Sequence, residues 1–133
     1  YTYYILEARK MLEENSEKLT INISVVDLGK IDYLVEQGFY GNRTDFLRSA
    51  IKGQLRGHED WLNREFVSKT MDVGIVRLHT EDIHKKELQD YTVLGKLIID
   101  QSVTLDDLKQ VFRRIKVFGK VQCSNEIKEF YRL

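Results

Sequence analysis

Lys18-Leu19-Thr20-Ile21-Asn22-Ile23-Ser24 decides the fold of this chain. Leu19, Ile21 and Ile23 alternate with polar residues at period two, the pattern of a strand with one apolar face. So short a strand cannot stand alone, because its backbone donors and acceptors need partners from another chain or from a distant strand. Ser24-Val25-Val26-Asp27 follows directly, with a hydroxyl at an N-cap and a carboxylate three residues on. It opens a helix that carries Leu28, Ile31, Leu34 and Val35 on one side. That helix is expected to end at Gly38. After the turn Gly38-Phe39-Tyr40-Gly41, Asn42-Arg43-Thr44-Asp45 caps a second helix, with Phe46, Leu47, Ala50 and Ile51 facing inward. Gly53 and Gly57 weaken it, and Trp61, Leu62 and Phe66 predict that helix resumes before a break at Lys69 to Asp72.

Upstream, Tyr3 to Glu17 mixes Ile5, Leu6, Met11 and Leu12 with charges and predicts a short amphipathic helix. Downstream, a weak unit recurs three times: Asp72-Val73-Gly74-Ile75-Val76, Val93-Leu94-Gly95-Lys96-Leu97 and Val117-Phe118-Gly119-Lys120-Val121. Each is followed by a helix-start signal, Thr80 before Ile83, Thr104 before Leu108 and Ser124 before Ile127. The spacing suits strand-plus-helix repeats, which bury their apolar faces only by stacking on neighbours. The expected fold class is therefore α+β. The segments are a helix over 1–17, a strand-helix-helix unit over 18–57, a helical linker over 58–70, and three strand-helix repeats over 71–133 for oligomerisation or sensing.

Composition narrows the function. The 133 residues balance 21 basic against 21 acidic side chains, so bulk charge does not hold a polyanion. Within 18–57, however, Lys18, Lys30, Arg43, Arg48, Lys52 and Arg56 outnumber Asp27, Asp32, Glu36 and Asp45. No apolar run approaches the roughly 20 residues of a membrane span, and no secretory signal opens the sequence, so the expected location is cytoplasmic and away from membranes. The start at Tyr1 leaves room for residues upstream. Cys123 is the single cysteine and is read as a small apolar side chain. His79 and His84 stand at i, i+5 and do not share a helical face, so no metal is expected. Asp100, Asp106 and Asp107 sit where a helix start favours carboxylates. No nucleophile, base and orienting group converge, so neither an enzyme nor a cofactor is expected.

Strand, capped helix, glycine turn and capped helix within 18–57 resemble the Arc/MetJ/CopG superfamily of ribbon-helix-helix DNA-binding proteins. The matching residues are Lys18 to Ser24 and Gly41-Asn42-Arg43-Thr44-Asp45-Phe46-Leu47-Arg48-Ser49-Ala50-Ile51. Many members place proline after the strand, where this chain has Val25-Val26. The resemblance implies a homodimer whose two strands pair antiparallel and enter the major groove of double-stranded DNA. By position Lys18, Thr20 and Asn22 then face the bases, with donors and acceptors suited to guanine, adenine and thymine. It further implies that Asn42, Arg43 and Thr44, at the positive end of the second helix, hold a phosphate. Arg43 adds a charge that capping does not require. The expected function is a sequence-specific transcriptional regulator of the repressor type, whose repeats join dimers into tetramers or larger assemblies or sense a signal. Two alternatives stay open: an antitoxin that autoregulates its operon and masks a toxin partner, and an assembly module that binds no DNA.

Overall fold

The computed structural model describes residues 15–84 and 87–133, and the chain divides into two compact units between Asp60 and Trp61. Residues 1–14, which hold most of the expected first helix, lie outside the described residues. From Ser16 to Ser24 the chain has no regular secondary structure. The expected strand at 18–24 is thus not formed in the single chain. A strand exists only as part of a ladder, and no other described segment pairs with these residues.

Helix α1 (Val25–Glu36) starts where Ser24 Oγ accepts the Asp27 N–H at 3.1 Å. It stops at Gly38, whose φ of +86° a side chain would resist, and the Gly38 and Phe39 amides donate back to Val35 and Leu34. Helix α2 (Arg43–Arg56) starts where Asn42 Oδ1 accepts the Asp45 N–H at 2.7 Å, while Asp45 accepts the Gly41 N–H at 2.9 Å. Tyr40 packs edge-on against Phe46, and Ile31 is buried.

Helix α3 (Glu59–Ser68) crosses the division and leads into β1 (Met71–Leu78), a 3-10 turn (Thr80–Asp82), β2 (Gln89–Ile99), α4 (Leu105–Lys109), β3 (Phe112–Gln122) and α5 (Asn125–Tyr131). The strands are all parallel, in the order β1-β2-β3. Thr104 and Ser124 cap α4 and α5, and Asp107 returns the Thr104 hydrogen bond to complete a capping box. After β1 the expected helix from Thr80 shortens to a single 3-10 turn. There His79 takes the N-cap place, its N–H donating to Asp82 at 2.8 Å, while the Thr80 hydroxyl is engaged with Ser102.

One face of the sheet is the core. Tyr91, Val93, Leu97, Ile99 and Ile115 pack there with Val103, Leu108, Val111, Phe112, Ile127 and Tyr131, and the Tyr91 and Phe112 rings stack at 4.8 Å. Tyr91 donates to Asp72 at 2.6 Å, tying β2 to β1. Gly74, Gly95 and Gly119 lie side by side in register, with φ of +115°, +133° and +131°. A Cβ on Gly95 would fall 2.2 Å from the Gly74 carbonyl oxygen, and one on Gly119 would fall 1.9 Å from that of Gly95. These glycines let the strands close up where each backbone kinks.

Gly95→Ala is therefore expected to destabilise the C-terminal unit by about 3 kcal/mol or more, through strain and a backbone clash together. Within one chain Gly74→Ala meets nothing within 4 Å and at low protein concentration should cost only the strain, about 1–2 kcal/mol. Urea unfolding of the two variants checks the order. Alkali has a predictable effect too. Burial first, then the bond to Asp72, pushes the Tyr91 phenol above its usual range. Its contribution is complete below the ordinary tyrosine value of about 10 and fades as pH rises from there toward the folded value. Tyr91→Phe should melt lower at neutral pH and lose less on raising the pH, as followed by circular dichroism.

Candidate nucleic-acid interface

The first unit leaves many of its described apolar residues uncovered. Leu19 is 82% exposed, Ile21 66% and Ile23 40%, while Val25, Val26, Tyr33, Phe39, Ile51 and Leu55 are also open to solvent. Ile31 is the one buried residue among the described residues up to Asp60. A single buried side chain contributes about 1.5–3 kcal/mol, far short of the ordering entropy of two helices. Caps fix where these helices begin, while much of their apolar surface stays uncovered among the described residues.

Lys18, Thr20 and Asn22 are exposed alongside the leucine and isoleucines, so in the single chain both faces of the segment are open. At the start of α2 the three expected phosphate contacts differ in what they offer. Asn42 spends its side-chain oxygen on the Asp45 N–H. Arg43 and Thr44 occupy the first turn, where backbone N–H groups have no partner within the helix. The Arg43 side chain is held by Asp32 of α1 through two parallel bonds, Nε to Oδ1 and Nη2 to Oδ2, each 2.8 Å. A guanidinium fork on a carboxylate is the strong form of this contact. Hydrogen bonding from Arg43 holds the Asp32 carboxyl below its usual range, and the same bond raises Arg43. Arg43 does carry a charge beyond the capping of α2, but its partner Asp32 lies eleven residues away on another helix, where no local pattern signals it. Asp45 also places a carboxylate at this helix end.

His79 and His84 are exposed, and no group of histidine, cysteine and carboxylate among the described residues could hold a metal ion. Cys123 is half-buried and burial raises its thiol. Asp100 is lowered first by the Ser102 hydroxyl and then by the Ser102 amide. No described helix is long and apolar enough to cross a membrane.

An alternating segment without regular structure, two side-chain-capped helices across a glycine turn and apolar residues open to solvent make up the described part of the first unit. The chain belongs to the ribbon-helix-helix transcriptional regulator family, whose model matches residues 14–128. The match runs through all three strands and into α5, so the C-terminal repeats belong to the family region as much as 18–57 does. Neither the comparison with curated proteins nor that with solved structures gives a match.

The Asp32–Arg43 pair gives an acid-side expectation. A carboxylate with a lowered folded value contributes stability above its unfolded value of about 3.9, and loses it as pH falls toward the folded value. Both groups are exposed, so the contribution at neutral pH is small. Asp32→Asn should melt close to the parent at pH 7 and show a shallower loss of helix below about pH 4. Circular dichroism at the two pH values measures the difference.

Proposed function

We propose that the chain is a homodimeric, sequence-specific DNA-binding regulator. Two copies of Lys18 to Ser24 pair antiparallel, turn Leu19, Ile21 and Ile23 into a shared core, and present Lys18, Thr20 and Asn22 to the major groove. The observation that carries this reading is the exposure of those three alternating apolar residues directly ahead of two capped helices. An antiparallel ribbon of two strands fits the major groove, and period two sends one set of side chains to the bases and the other to the helices.

The same reading gives α2 its task. Backbone N–H groups of Arg43 and Thr44 receive a phosphate at the positive end of the helix, with Asn42 holding the turn. The Arg43 guanidinium turns from Asp32 to the phosphate, or shares the two, since both are oxyanions that accept its fork. Asp32 then keeps the arginine oriented in the free protein.

Three variants test the proposal. Ile21→Asp is expected to abolish the folded dimer, because two unpaired carboxylates in a shared core cost several kcal/mol. A dimeric mass with an unchanged melting temperature would reject the ribbon. Asn22→Ala should lower affinity for cognate DNA by about 1–3 kcal/mol and spare random DNA. Equal losses on both would remove Asn22 from base reading. Arg43→Ala should weaken binding to every sequence alike and reduce the salt slope by about one. An unchanged slope would remove its side chain from the phosphate site.

A further inference from the structure

We infer that the C-terminal sheet continues from one copy of the chain to the next, with β3 of one copy docking parallel on β1 of another so that Gly119 lies beside Gly74.

The glycine ladder has a direction. Each glycine gives its side-chain space to a carbonyl of the strand before it, Gly95 to Gly74 and Gly119 to Gly95. Gly74 has the same left-handed φ, yet nothing in the chain lies within 4 Å of where its Cβ would be. By the repeat of the ladder that space opens on the free edge of β1, and the Gly119 carbonyl points to the free edge of β3. They are the two halves of a contact the chain already makes twice.

The backbone agrees. Thr92 N–H donates to Thr70 O at 3.1 Å and Asp100 N–H to Leu78 O at 2.9 Å. Even-numbered groups of β1 therefore serve β2, and those of Met71, Val73, Ile75 and Arg77 face away from it. An edge of this length is ordinarily short, bulged, charged or covered. On β1, Val73 and Ile75 are 60% and 50% exposed. At the beginning of β3, α5 is tied to the strand, with Tyr131 Oη donating to Phe112 O at 2.8 Å. A groove of about 840 Å³ is lined by Arg114, Lys116, Gly119 and Val121 of the strand with Lys128 and Arg132 of the C-terminal segment.

Charge selects the occupant. Residues 71–82 at the β1 end carry Asp72, Glu81 and Asp82 against Arg77 alone. Residues 112–133 at the β3 end carry six arginines and lysines against Glu126 and Glu129. Like ends repel and unlike ends attract, which favours head-to-tail docking of a second copy over symmetric pairing of two β1 or two β3 edges. In that register the row Val73, Leu94, Phe118 continues, its two ends exposed and Leu94 half-buried, with Phe118 beside Val73 of the next copy.

Cysteine pairing tests it in the full-length chain, in a Cys123→Ser background. Within one chain residues 73 and 118 are separated by β2, about 9–10 Å, beyond the reach of a disulfide. Val73→Cys with Phe118→Cys should give, on mild oxidation, a ladder of three or more linked chains on a non-reducing gel, while each single substitution stays at one chain. Absence of linked chains in the double variant would overturn the inference. Linked pairs from Val73→Cys alone would also overturn it, in favour of antiparallel β1 edges. Neither substitution touches residues 18–57, so DNA binding is read separately and the failure of one proposal leaves the other standing.

Discussion

The close approach of one backbone to the next at Gly74, Gly95 and Gly119 is the constraint on which the C-terminal half depends. At 2.2 and 1.9 Å, a Cβ would overlap a carbonyl oxygen, so any other residue at Gly95 or Gly119 would push the strands apart. With glycine there, the three strands run flush, and Val76, Leu97 and Val121 stand side by side on the core face. The helices then need only short, well-capped starts to close that face. Thr104 and Ser124 supply them, bringing Leu108 and Ile127 into the core.

The first unit is stabilised by different means. Its helices have caps as good as those of the repeats, but Val25, Val26, Tyr33, Ile51 and Leu55 on them are exposed. Hydrogen bonds and the Asp32–Arg43 fork set geometry without supplying much net stability, since exposed polar contacts exchange readily with water. Apolar burial is the large term, and among the described residues of this unit only Ile31 is buried.

What the sequence made legible followed from local chemistry. Ser24, Asn42, Thr104 and Ser124 each announce a helix start through a side chain that bonds three residues ahead, and all four do so in the structure. The glycines at 74, 95 and 119 announced a repeat by spacing alone. Non-local features were hidden. Nothing near Arg43 signals Asp32, because their pairing comes from the packing of two helices. The irregular register between Gln89 and Asp90, which admits Arg114 opposite Asp90, leaves no mark in the sequence. Thr80 read as a helix start, but Ile83 is extended and His79 caps a single turn. The segment 18–24 is the opposite case: its alternation is plain, while the ladder it implies is not contained in one chain. The three-repeat pattern was too short to extend the family resemblance past residue 57, which the match over 14–128 does.

The buried core of the second unit begins at Tyr91; β1 contributes only the half-buried Val76 and Leu78. Strand β1 is bonded on one side, β2 on both, and the loop after β1 ties down through the hydroxyls of Thr80 and Ser102. In a stack of repeats each layer is stabilised mainly by its neighbours, so opening proceeds from the ends. In dilute solution, where each chain's β1 edge is free, amide hydrogens of β1 should thus exchange with solvent before those of β2, without the core between Tyr91 and Tyr131 coming apart. Since β1 is also where the chain arrives from α3, the layer that opens at least cost is the one through which a pull on the first unit would be felt.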